Sequence, residues 1–277
     1  MHNVLLEIMD DIHFVCEKYG LQYTLTGGGA LGAVRHSGFI PWDNDLDIGM
    51  PRKDYNRIRQ LMIDEFGSKY YIQNISFCKD YDLNFMKVRL KGSVFLEPLD
   101  PEPPEKSGIF VDIFPMEAVR DNVFMRTFQW FLSDGLQFIC SCIRIRKKRK
   151  ILYEMAGDNS YAKRIIILKS LLSLPFSVIP FRKWLIMTES FLSSYQKDSS
   201  EYVSIPTGGN HFKGEMYKRN CMFPPVLLPF EDRYYYCPAD PDHYLRKMFG
   251  DYMTPPPESK REKHAALLFI LPKKEQQ

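Results

Sequence analysis

Three aspartates stand on alternate positions in WDNDLDIGM, at Asp43, Asp45 and Asp47, and three consecutive glycines, Gly27, Gly28 and Gly29, precede them by a short helical word. Carboxylates are the side chains that hold hard divalent cations, and glycines at a helix start let backbone N–H groups approach phosphate. Three chemistries fit parts of this pattern. Gly27, Gly29 and Gly32 spell G-x-G-x-x-G, and Asp47 lies 20 residues beyond Gly27, the numerical form of a dinucleotide site. Its order is wrong: the acidic residue of that fold ends an apolar strand, whereas here Pro41 interrupts the approach and the aspartates begin the strand. A calcium loop would take the three aspartates at its first, third and fifth positions but needs glycine at the sixth, where Ile48 stands.

The third chemistry uses every residue. On an extended strand Asp45 and Asp47 project to one face while Leu46 and Ile48 point into a core. Two like charges side by side repel unless a cation lies between them, so the pair reads as a site for Mg²⁺, or for Mn²⁺ in its place. The glycines Gly27 and Gly28 then cradle phosphate beside it. Asp43 joins the pair only if the strand already begins there. A further carboxylate belongs on a neighbouring strand, and Asp112 is the one charged residue in the apolar word GIFVDIF; it needs either metal or a Lys/Arg partner. Lys87 and Arg89, in FMKVRL, share a strand face and suit a phosphate clamp, or else a solvated edge strand. Arg35 and His36 follow the glycines within two helical turns, in reach of a diphosphate, with a plain surface role equally open to His36. Trp42 suits packing of the acidic loop better than stacking on a base.

Elements must position these groups. VLLEIMDDIHFVCEKYG places Val4, Leu5, Ile8, Ile12, Val15 and Tyr19 on one helical face, with Gly20 as its stop. A strand (21–25), a glycine turn and the helix ALGAVRH follow, then a strand over 45–50 and a helix opened by Pro51. FMKVRL and SVFLE read as a hairpin around Lys91 and Gly92, and 108–114 as a further strand. Residues 121–197 are mostly helical by periodicity, and the last 70 are loop-rich with PP and PPP. The expected class is α+β, a small mixed sheet with packed helices plus a mostly helical middle. Residues 1–120 form the expected catalytic core, 121–200 a basic, apolar helical region, and 201–277 a C-terminal region packing on the core.

A chain of 277 residues with 14% aromatics and 26% charged residues can bury a full core, which excludes a disordered or coiled-coil protein. The six cysteines form no C-x-x-C pair, so neither a zinc site nor a disulfide framework is signalled, and the N-terminus lacks the basic end and long apolar core of a signal peptide. A reduced, cytoplasmic protein is expected. Net charge is +3, yet residues 122–187 hold 12 Lys/Arg against 3 Asp/Glu. RIRKKRK (144–150) and IIILKSLLSLPFSVIPF (165–181) lie there; the second, 17 residues with a Lys and two prolines, is too short to span a bilayer that needs about 20. The region suits either peripheral contact with the inner face of an anionic membrane or a buried helix pair with a solvated basic face.

The order of glycines, Asp-x-Asp and a lone Asp on a later strand is the nucleotidyltransferase-fold pattern. The words GGGALGAVRHSGFIPWDNDLDIGM, FMKVRL, GIFVDIFPME and LPFEDRYYYCPADPDHYLRKMFGDYMTPPPESKREKH resemble the LicD family of phosphocholine and related phospho-alcohol transferases, which includes fukutin and fukutin-related protein. The resemblance covers most of the chain but not about 121–200. It implies a nucleotidyltransferase-like fold and Mg²⁺-dependent transfer of a phospho-alcohol from a CDP-activated donor to a glycan or lipid-linked glycan acceptor, without nucleic acid. Carried onto this sequence, Asp45, Asp47 and Asp112 are catalytic carboxylates holding one or two Mg²⁺, with Asp43 beside them and Asp112 as candidate base; Arg261 and His264 lie in the C-terminal word, His264 as a candidate nucleotide contact. Asp232 stands where the family's LPFE word leads to a glycine, so this loop either folds differently or takes a different acceptor, a departure that bears on the acceptor and not on the metal site. Alternatives of other classes are transfer of a nucleoside monophosphate to a small acceptor, and a catalytically silent scaffold of a glycan-assembly complex.

Overall fold

The computed structural model of the protein describes residues 1–98, 103, 106–258, 261 and 268–272. Helix α1 (His2–Tyr19) buries the face its spacing predicts and ends at Gly20 in the left-handed conformation, φ 63°. β1 (Thr24–Leu25) is only two residues long, and α2 (Gly27–His36) begins at the first glycine, so the glycines are the helix's first turn and not a turn before it. β2 (Asp47–Pro51), α3 (Arg52–Phe66), β3 (Tyr70–Gln73), β4 (Met86–Leu90), β5 (Val94–Leu96) and β6 (Phe110–Val119) complete the N-terminal part. The helices α4 (Val123–Lys147), α5 (Arg149–Met155), α6 (Ser160–Leu172) and α7 (Phe181–Leu192) follow. Last come β7 (Tyr202–Ser204), α8 (His211–Gly214), β8 (Met216–Lys218), α9 (Arg219–Met222), β9 (Val226–Phe230), β10 (Arg233–Cys237), α10 (Pro241–Phe249) and β11 (Leu268–Ile270).

The sheet is mixed, as expected of an α+β chain. Its order is β1-β2-β6-β4-β3, with β2 and β6 parallel and the other neighbours antiparallel. Register sets Asp47 opposite Asp112, and Asp112 opposite Lys87. The far half of β6 pairs with β7, and β7 with β8, so residues after 200 extend the sheet begun before 120. The main core joins Ile8, Ile12, Ile48, Val88, Val111 and Ile113 to Tyr217, Phe230, Tyr235 and Tyr244. A smaller cluster, Ile75, Tyr81, Cys140 and Leu185, ties α4 and α7 to the loop after β3. Among the described residues no helix is long and apolar enough to cross a membrane.

Two sequence expectations fail on geometry. The second strand starts at Asp47, because residues 41–46 turn and loop before it; Asp45 is therefore not a strand residue, and alternation does not align it with Asp47. β4 and β5 do not form a hairpin. Leu90 N–H donates to Ile109 O (2.8 Å) and Phe95 N–H to Ser107 O (2.6 Å), so the chain leading into β6 fills the place of a hairpin partner, and β5 pairs instead with β11.

Candidate active site

Adjacent parallel strands at the same register point side chains to the same face, and here that pairing brings the carboxyl groups of Asp47 and Asp112 together. The next strand adds Lys87, whose Nζ donates to Asp112 Oδ2 at 3.1 Å and lies 3.2 Å from Glu97. Asp112 Oδ1 is buried with no hydrogen-bond partner. Burial, then the charges of Asp45 and Asp112, push the Asp47 carboxyl well above the usual carboxylate range. Burial also pushes Asp112 up to about 6, against the pull of Lys87. The cause the two shifts share is burial, with neighbouring carboxylates adding to it at Asp47 and Glu97 at Asp112.

Asp43, Asp45 and Asp47 line one cleft of about 770 Å³, with Gly27, Gly28, Arg35 and Trp42 on the same side. Asp43 and Asp45 reach it by the loop after a turn in which Asp43 N–H donates to Ile40 O (2.9 Å), while His2 Nε2 bonds Asp43 O (2.7 Å). A Cβ at Gly28 would run into Asp43 Oδ2, so a larger residue there has to push that carboxylate aside. Gly27, at φ 52°, would place a Cβ 3.5 Å from Asp47 Oδ2. Among the described residues, Asp43, Asp45, Asp47, Glu215 and Asp251 line the cleft together with Arg35 and Arg261.

The residues present suit a divalent cation by donor type, by mutual repulsion and by the orphaned Asp112 Oδ1. Among the described residues, however, no group of three or more His, Cys, Asp or Glu side chains stands close enough to hold a metal as it is.

Other expectations are relocated. Arg89 is not at the cleft: β4 lies inside the sheet, and Arg89 is buried, donating to Gln73 Oε1 (2.6 Å) and Gly108 O (2.9 Å). Lys87, from the same face, holds Asp112 rather than a solvent-side phosphate, because an interior strand offers no solvated edge. Gly27 N–H is taken by Tyr244 Oη at 2.9 Å, so it is not an open anion contact. Arg35 lines the cleft and donates to Tyr252 O (2.6 Å). His36 is not part of the cleft lining and packs edge-on against Trp42. Trp42 in turn carries the Arg261 guanidinium 4.1 Å from its ring centre, a packing role. His264 lies outside the described residues. Asp232 sits at the turn of the β9–β10 hairpin, where Glu231 takes φ 55°, and does not line the cleft.

The opposite wall was missed from sequence. It comprises Gly208, Gly209, Asn210 and Glu215 after β7, Met248 and Phe249 at the end of α10, and Asp251, Tyr252, Thr254 and Pro256 beyond it. Glu215 is buried and accepts the Asn210 N–H (3.0 Å), fixing the glycine loop, and burial pushes its carboxyl up to about 7. Tyr244 of α10 anchors α2. The doublet at 208–209 followed by Asn was the one local signal, a turn-forming word like the first glycine cluster.

Comparison with known proteins places these features. Residues 20–141 match the family model described as LicD/FKTN/FKRP, nucleotidyltransferase domain. The chain is 27% identical over 264 residues to the lipopolysaccharide cholinephosphotransferase LicD of Haemophilus influenzae, covering 94% of this chain and 93% of that protein. It is 37% identical over 79 residues to human ribitol 5-phosphate transferase FKRP, 28% of this chain and 16% of that one. An uncharacterized protein of Rickettsia prowazekii is 33% identical over 122 residues, 42% of this chain and 46% of its own length.

Proposed function

Since residues 20–141 are a LicD-family nucleotidyltransferase domain, we propose that the protein moves a phospho-alcohol, phosphocholine first among them, from a CDP-activated donor to a hydroxyl of a cell-surface glycan precursor. The observation that carries this reading is the cleft whose described lining brings Asp43, Asp45 and Asp47 together with Arg35, Asp47 standing opposite Asp112 on the neighbouring strand. Likeness over nearly the whole chain to a lipopolysaccharide cholinephosphotransferase supports the choice of reaction.

In this reading Asp45 and Asp47 would hold Mg²⁺ or Mn²⁺, with Asp43 beside them, while the unpartnered Asp112 Oδ1 is kept for the acceptor's proton. The cation would supply positive charge against the donor diphosphate and the transferred phosphoryl group. Arg35, on the cleft wall, adds a fixed positive charge for the diphosphate. The acceptor oxygen forms a bond to the choline-bearing phosphorus as the bond to CMP breaks, and CMP leaves with the electron pair. Asp112 Oδ1 takes the acceptor's proton. Burial raises the proton affinity of its carboxyl, and Lys87 on Oδ2 keeps the other oxygen oriented.

The test is a panel of CDP-choline, CDP-ribitol, CDP-glycerol, CTP and UTP with Mg²⁺ and mixed glycan acceptors, following CMP and pyrophosphate, beside the Asp45→Ala/Asp47→Ala double variant. CMP release from one CDP-alcohol, lost in the variant and on chelation, is expected. Pyrophosphate from CTP or UTP would move the protein to nucleotidyl transfer. No turnover with no metal-dependent donor binding would make it a scaffold.

A further inference from the structure

Helix α6 is apolar on both sides. Ile166 points inward and is buried, while Ile167, Leu168, Leu171 and Leu172, then Leu174 and Val178 in the following turn, are exposed, Val178 to 88%. A solvated helix carries polar residues outward, so an exposed stripe at three- and four-residue spacing marks a face that is covered in use. Neighbouring α5 buries no residue at all. Between the two helices runs an open groove of about 600 Å³, walled by Tyr153, Ile167 and Leu171, with Arg149 and Lys150 along it and Glu154 as the one carboxylate of its lining.

Charge says what covers the face. Residues 144–172 carry nine Lys/Arg against two Asp/Glu. Arg144 and Lys148 are engaged by Asp82 at 3.3 and 3.4 Å, and Lys169 donates to Ser141 Oγ (3.2 Å). Among the described residues, no carboxylate pairs with Arg149, Lys150 or Arg164, all three exposed. Leucines bordered by unpaired cations match the boundary between acyl chains and anionic headgroups. A second copy of this chain would set the same excess of cations against itself, which repels.

The side of α6 that packs on α4 also lies near the cleft wall. Gly208, Gly209 and Asn210 line the carboxylate cleft, and the next residue, His211, lines a pocket of about 390 Å³ with Phe131 and Phe138 of α4 and Lys169 of α6. We propose that the α5–α6 face docks the protein on an anionic membrane surface, beside the loop that walls the cleft. Docking stands apart from the transfer reading; only delivery of a lipid-carried acceptor to the cleft rests on it.

Flotation of the full chain with vesicles needs neither donor nor acceptor, so its outcome is distinct from that of the transfer assay. Vesicles of phosphatidylcholine mixed equally with phosphatidylglycerol are compared with pure phosphatidylcholine. Binding to the anionic vesicles only, weakened by salt, is expected. The triple variant Arg149→Glu/Lys150→Glu/Arg164→Glu lowers affinity on the order of a hundredfold. Leu168→Ser/Leu171→Ser does so to a similar order through the apolar contact. Circular dichroism and the melting temperature of both variants should match the parent, since every altered side chain is exposed. Equal binding to neutral vesicles, no binding to either kind, or a dimer in solution that the Leu168→Ser/Leu171→Ser variant dissolves would each overturn the proposal.

Discussion

At both ends the same two strands carry carboxyl groups whose proton affinity is raised by burial, and the ends differ in how their oxygens are satisfied. At the start of the β2–β6 pair, Asp47 and Asp112 crowd together, with one Lys87 ammonium bound to the far oxygen of Asp112. Just past its end, Arg52 follows β2 and donates to the Glu117 carboxylate from both Nε and Nη2, and to Glu189 at 2.6 Å. There one guanidinium donates directly to two carboxylates, Glu117 through two nitrogens, and its proton is held more tightly than usual by Glu117 and Glu189 despite burial, while burial pushes the Glu117 carboxyl up to about 7. Both carboxylates are bonded directly by the cation. At the other end Asp112 Oδ1 has no hydrogen-bond partner among the described residues and Asp47 lines the open cleft, so these groups are the ones a ligand could still meet.

The comparison can be broken by substitution at either end. Asp47→Asn should lower turnover roughly a thousandfold or more, as removal of a transition-state electrostatic partner does, while leaving the melting temperature equal or higher because a repulsive charge is gone. A Tm drop of several degrees would show that Asp47 is structural. Arg52→Met should do the reverse, destabilising the protein by about 3–5 kcal/mol in denaturant unfolding because two buried carboxylates lose their cation.

Smaller effects sharpen it. Mg²⁺ at a hundred times its dissociation constant should stabilise the parent by about 2.7 kcal/mol and leave Asp45→Asn/Asp47→Asn unaffected, read as a thermal shift. Gly28→Ala should displace the Asp43 carboxylate and cost activity tens of fold, up to about a hundredfold, with little change in stability. The smallest effect is a pH slope. Glu215 binds its proton more tightly folded, near 7, than in the unfolded chain, near 4.5. The folded state then holds more protons between those values, so this group's contribution to stability falls as pH rises from about 4.5 to about 7 and is flat above. Melting scans of Glu215→Gln across that window should lose this component of the slope.

Legibility in the sequence follows range. The pairing of Asp47 with Asp112 was readable because each sits in a short apolar word whose strand character is local, and α1 was readable from its periodicity. Asp45 was placed on a strand because alternation looked continuous, whereas the loop over 43–46 delivers it to the cleft by another path. Lys87 and Arg89 were expected to reach phosphate because strand order is not written in any one segment; the interior place of β4 turned one toward Asp112 and the other into a buried network. The far wall was invisible for the same reason: Gly27 meets Tyr244, and Arg35 meets Tyr252, each across 217 positions. The basic, apolar middle was legible as a composition. Only the helices show that its leucines and free cations share one face.

The central claim, that the crowded carboxylates are a cation-dependent donor site, is tested most directly by calorimetric titration of CDP-choline into the protein with and without Mg²⁺, beside Asp47→Asn. Donor binding that needs Mg²⁺ and disappears in a variant of unchanged melting temperature is the predicted result. Donor binding of equal strength without metal, or in Asp47→Asn, would contradict it.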